Sequence, residues 1–164
     1  MTRPTLERTM LDVASVLALR ATCIKRSVGC VLCDDKGRIL STGYNGVAHG
    51  QPHCNEVVYV LSPQEMFGGP CIPPKYPHAC PGHHLPAGSD SCQAVHAETN
   101  ALLQCRDVDR IHSAYVTIAP CFRCTKELLN TGCQQIFFES PEDQDPKAKE
   151  LWLANGRLWA QYPG

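Results

Sequence analysis

The sequence predicts an α/β protein, a mixed five-stranded sheet sandwiched by helices. Three observations predict it. An early run places Leu6, Met10, Val13, Leu17 and Ala21 at spacings of three and four, the pattern of an amphipathic helix. Two β-rich runs then flank Asp34-Asp35-Lys36-Gly37, a turn signal with glycine where positive φ is needed, and read as an antiparallel hairpin. The second half alternates strand and helix, which implies right-handed crossovers between parallel strands.

Taken in order, the first helix is expected over 5–22, after Pro4 and with Thr5 as its cap. The hairpin is "SVGCVLCDDKGRILSTGYNG". Residues 45–92 are rich in Pro, Gly, Cys and His and far longer than an ordinary connection, so this stretch is either disordered or functional. A helix is expected near 92–105, a strand at 113–118 ("SAYVTI"), and a helix at 121–132 closed by Gly132. A strand at 134–139 ("QQIFFE"), a helix at 146–155 closed by Gly156 and a last strand in "RLWAQY" complete the chain. The 164 residues are one domain's worth, with an insertion at about 47–91.

Composition excludes several function classes. A hydrophobic content of 43% suits a globular core. A net charge of −1 argues against stable binding to long nucleic acid, which shows as a basic excess. No stretch approaches the roughly 20 apolar residues of a membrane span, and "MTRPTLERTM" lacks the apolar core of a signal peptide. A cytoplasmic protein is expected, and in a reducing cytosol its 11 cysteines point to metal binding or catalysis rather than disulfides. Cys30, Cys33 and Cys105 sit in apolar runs and read as small buried side chains.

The informative cysteines are in "APCFRC", residues 119–124, where Cys121 and Cys124 at the start of a helix can aim both sulfurs at one point. The helix start lowers thiol pKa values and so favours the thiolate that binds metal. His96, in "QAVHAETNALLQC", would make a third ligand and leave the fourth tetrahedral position of a zinc ion open to water, as in catalytic sites. Glu98 then has a role as the carboxylate that moves that water's proton. His-x-Glu followed by Pro-Cys-x-x-Cys is the signature of zinc-dependent nucleobase deaminases.

With "ALRATC" at 18–23, "SVG" at 27–29 and "GYNG" at 43–46, the chain resembles the deoxycytidylate deaminases of bacterial and phage type within the cytidine deaminase superfamily. The resemblance implies a three-layer α/β/α cytidine deaminase-like fold and hydrolysis of dCMP to dUMP and ammonia, with attack at C4. Glu98 would protonate N3 and then the departing ammonia, while the backbone around Ala97 and Cys121 positions the base. Asn45 either hydrogen-bonds the sugar or is a turn residue tolerating left-handed φ. Arg26, with Lys25 beside it, either meets the phosphate or is a solvated charge. A deaminase acting on 5-substituted dCMP, another acting on bases in nucleic acid, and a non-catalytic zinc module stand as alternatives.

The resemblance further implies a second, structural zinc. Cys23 and Cys54 are its members by resemblance, and Cys80 and His84 would complete it. Members of this branch are commonly homohexamers activated by dCTP and inhibited by dTTP, bound with Mg2+, so allosteric regulation is expected as well.

Overall fold

The computed structural model describes residues 2–51, 53–54, 92–141 and 145–162. Leu6–Ala18 form α1, capped by the Thr5 hydroxyl, which accepts from the Arg8 N–H at 3.2 Å. The helix ends earlier than the expected 5–22, because Leu19, Arg20 and Ala21 donate to carbonyls three residues back and tighten the last turn. It is also rotated from the expected face. Leu11, Ala14 and Ala18 form the buried seam with Met10, Val13 and Leu17 flanking them, while Leu6 is exposed. Both faces carry the required spacing, and the sheet selects the one whose alanines let the helix lie close.

The hairpin forms as expected, from β1 (Gly29–Cys33) and β2 (Ile39–Tyr44) in antiparallel register. Gly37 takes φ 73°, and the Asp34 carboxylate accepts from the backbone N–H groups of Lys36 and Arg38 at 3.0 and 2.8 Å. Two short strands, β3 (Gly46–Val47) and β4 (Ala94–Val95), pair antiparallel and clamp the two ends of the 47–91 insertion together. The helix expected over 92–105 is therefore α2, Ala97–Gln104, and begins only after this pairing.

The remaining elements are β5 (Ser113–Ile118), α3 (Phe122–Leu129), β6 (Gln135–Ser140), α4 (Pro146–Ala154) and β7 (Leu158–Gln161). The five-stranded sheet has the order β2-β1-β5-β6-β7, with β1 antiparallel to both neighbours and β5, β6 and β7 parallel. The expected mixed sheet is thus present. Gly156 closes α4 with φ 69°, but Gly132 does not close α3, whose cap is Asn130. Gly132 serves a close approach instead: a Cβ there would lie 2.0 Å from the Asp109 carbonyl.

The alternation of side chains along the strands makes the layers. Cys30, Leu32, Ala114, Val116, Ile136, Phe138 and Trp159 face the core under α2, α3 and α4, where Ala97, Ala101, Leu128, Ala148 and Trp152 meet them. Val31, Cys33, Tyr115 and Phe137 face α1 on the other side. Covering both faces explains why β1 reads as an unbroken apolar run, and each large apolar side chain buried this way contributes about 1.5–3 kcal/mol. Cys30 and Cys33 are fully buried, as their apolar context implies, and Cys105 is half-buried against the same core. Among the described residues no helix is long and apolar enough to cross a membrane.

Candidate active site

Two helix starts converge at one end of the sheet. His96 is not inside α2 but is its N-cap, with extended backbone (φ −70°, ψ 155°) and no side-chain capping bond, so its ring is free to turn outward. Cys121 holds the same position on α3 (φ −71°, ψ 168°). Fully buried Pro120 and the Ala119 N–H, which donates to the Ser140 carbonyl at 2.9 Å, fix the chain that delivers it from β5. The sulfurs of Cys121 and Cys124 then lie 3.5 and 3.4 Å from His96 Nδ1. All three donor atoms fall within 4.8 Å of one another.

These distances test whether the residues suit zinc. A tetrahedral ion with Zn–N of about 2.0–2.1 Å and Zn–S of about 2.3 Å requires N···S separations of about 3.6 Å. The donor set is soft, borderline and convergent, and it fits. The side-chain hydrogen bond with Cys124 is the main cause holding the Cys121 thiol down at about 3, aided by His96 and by the Cys124 backbone N–H. Cys124 is displaced upward by that same bond and by burial. Hydrogen bonding to Cys121 raises His96.

Glu98 lies in the first turn of α2 and is 4% exposed. Burial raises its carboxyl to about 7, against the pull of its own backbone N–H, the His96 charge and a hydrogen bond with Cys124. Both helix starts also present free N–H groups and the positive ends of their dipoles to this anionic cluster.

The "GYNG" stretch is built into the same site. At Gly43 a Cβ would stand 2.2 Å from the Ala97 carbonyl, so only glycine lets α2 rest on β2. Asn100 Nδ2 donates to the Tyr44 carbonyl at 2.8 Å. Gly46 pairs with Val95, so Asn45 and His96 each directly adjoin the same end of that pairing. Asn45 is buried, its Oδ1 accepting from Val28 N at 2.8 Å and its Nδ2 donating to the Arg26 carbonyl at 2.9 Å. Arg26, half-buried beside Lys25, thus enters the site region through its backbone.

Residues 4–140 match the family model of the cytidine and deoxycytidylate deaminase zinc-binding region. The chain belongs to this deaminase family. It is 33% identical over 140 residues to the deoxycytidylate deaminase of Mycobacterium phage D29, covering 84% of this chain and 97% of that one. It is 31% identical over 162 residues to the deoxycytidylate deaminase of Schizosaccharomyces pombe, covering 98% of this chain but spanning only 45% of that relative's length. In fold it resembles the dCMP deaminase of cyanophage S-TIM5, in the complex with dCMP and dUMP, with a TM-score of 0.66, 18% identity and coverage of 99% and 100% of the two chains.

Within this zinc-binding deaminase family, the structure brings together His96, Cys121 and Cys124, with Glu98 and Ala97 on the adjoining turn and Asn45 directly before the β3–β4 pairing that leads into His96. Of the second expected cluster, Cys23 is half-buried and Cys54 fully buried, whereas Cys80 and His84 lie outside the described residues. The sequence reading missed three polar residues at the site. Asn100 could have been found as a polar side chain one turn after His96 in an apolar run, but Thr99 and Glu127, joined by a hydrogen bond of 2.6 Å, carry no local signal.

Proposed function

We propose that this chain hydrolyses the exocyclic amine of dCMP, giving dUMP and ammonia, with zinc held by His96, Cys121 and Cys124. The observation that carries the reading is Glu98: a buried carboxyl, two residues from a three-donor cluster, has no use in a structural site closed by four protein ligands. When bound, zinc makes water acidic enough to supply a nucleophile near neutral pH. Glu98 takes up the first proton that water releases and passes it to N3, then takes the proton remaining on the added hydroxyl and passes it to the leaving amine. The backbone around Ala97 and Cys121 positions the base. Asn45 keeps one amide hydrogen and one lone pair beyond its two backbone bonds, and these serve the sugar. Arg26 and Lys25 serve the phosphate. The names of the phage and yeast relatives support the substrate.

The test is ammonia release from dCMP, 5-methyl-dCMP, CMP, deoxycytidine and a short oligonucleotide. The fastest turnover is expected on dCMP, and no release from any of them overturns the reading. A preference for 5-methyl-dCMP or the oligonucleotide would move the substrate to that class.

The finer readings rest on the family resemblance. They are one deaminase domain over 1–164 carrying the 47–91 insertion, a cytoplasmic homohexamer, and activation by dCTP with Mg2+ against inhibition by dTTP. Saturation by dCMP is then sigmoidal without dCTP and hyperbolic with it. Hyperbolic kinetics indifferent to both triphosphates would remove the regulation and leave the chemistry in place.

A further inference from the structure

We infer that Thr99 and Glu127 form a positioning pair that sets the Cys124 sulfur for metal, an inference that rests on the zinc reading above. Thr99 directly follows Glu98 on α2, and its hydroxyl donates to Glu127 Oε2 at 2.6 Å while standing 3.9 Å from Cys124 Sγ, the outer reach of a hydrogen bond to sulfur. Glu127 lies three residues after Cys124 on α3, hence on the same side of that helix. Its other oxygen faces Arg123 Nε at 3.9 Å. Cys124 itself is fully buried, and Thr99 approaches its sulfur in addition to His96, Cys121 and Glu98.

The geometry puts one hydroxyl proton between two acceptors. A bond to the carboxylate this short is charge-assisted, and it pins the Thr99 rotamer with its oxygen toward the sulfur. The Cys124 thiol can donate to that oxygen before metal arrives. Once the sulfur is a thiolate it competes with Glu127 for the Thr99 proton, so the position of the sulfur and the charge it offers a metal are set together. Groups beyond the direct ligands act this way in metal sites generally, and their loss costs about 10–100-fold in metal affinity. A brace that merely held α2 to α3 would affect melting without touching the sulfur's electronic state.

The probe is Co2+ bound to the full chain, read by its thiolate charge-transfer band and by its release rate to a chelator. Thr99→Val keeps the shape and removes the hydroxyl, and it is expected to shift the band and speed release about tenfold or more. Thr99→Ser should restore both. Should Thr99→Val fold poorly, Glu127→Ala, at a half-exposed position, is expected to shift the band and speed release as well. The double variant should then add nothing to the larger single effect, because the two residues act as one unit. A Thr99→Val protein with the wild-type band and release rate, a serine variant that restores neither, or full additivity in the double variant would each overturn the inference. Failure of the wild type to bind Co2+ at all would overturn the zinc reading and this inference with it, whereas normal wild-type binding with a silent Thr99→Val overturns this one alone.

Discussion

Asn45 holds Val28: the Oδ1 of the buried asparagine accepts from the Val28 backbone N–H at 2.8 Å, and its Nδ2 donates to the Arg26 carbonyl two residues earlier. The side chain so joins the turn after β2 to the entry of β1. Asn45→Ala removes both bonds and leaves two backbone groups to find other partners. It is expected to cost about 2 kcal/mol, a fall in Tm of roughly 4–8 °C by thermal melting. KM for dCMP should rise in the same variant if the remaining amide hydrogen meets the sugar. An unchanged Tm would mean that the clamp contributes nothing.

Glu98→Gln keeps the size of the side chain and removes the proton it carries. Turnover is expected to fall at least about a hundredfold, the ordinary contribution of general acid–base catalysis. Metal content should stay at the wild-type level, because Glu98 is not among the three converging donors. Near-normal turnover would remove Glu98 from the mechanism.

What the sequence made legible followed the strength of the local pattern. The strand at 113–118 is observed at those residues, because Ala114, Tyr115, Val116 and Ile118 give it the apolar, β-favouring character of a run covered on both faces. The hairpin was legible through Gly37, and the metal site through Cys-x-x-Cys at a helix start. β3 and β4 were not legible: two residues each, they have no period to read, and they pair across the whole insertion. Missing them misplaced the start of α2 and put His96 inside a helix that it only caps. The Thr99–Glu127 bond joins residues 28 apart on different helices, a distance over which no spacing rule operates. Gly132 had the sequence context of a helix stop, but crowding against Asp109 decides its role.

Metal content tests the two zinc sites separately. Two zinc ions per chain are expected by elemental analysis if Cys23, Cys54, Cys80 and His84 hold the second, and one if they do not. Cys54→Ser should lose one ion and keep turnover measurable, while Cys124→Ser should lose the other and abolish turnover. Loss of turnover with full metal in Cys124→Ser would contradict its place as a ligand, since a buried sulfur among three converging donors has no other evident function.

The Asp34 carboxylate links the β1–β2 turn to pH. It is held below its ordinary range chiefly by the backbone N–H of Arg38, then by that of Lys36 and by the Arg38 and Arg110 charges, the Arg110 guanidinium standing 3.3 Å away. A carboxylate whose pKa is lower folded than unfolded stabilises the fold above its unfolded value of about 4, and the contribution fades as pH falls through the folded value. Asn at this position could still accept both backbone bonds, which share Oδ1, but would carry no charge. Asp34→Asn is therefore expected to melt below the wild type near neutral pH, with the gap narrowing once the pH drops below about 4. Melting both proteins across that range gives the difference directly. A gap that stays constant into acid would mean that the Asp34 charge contributes nothing and that only its shape holds the turn.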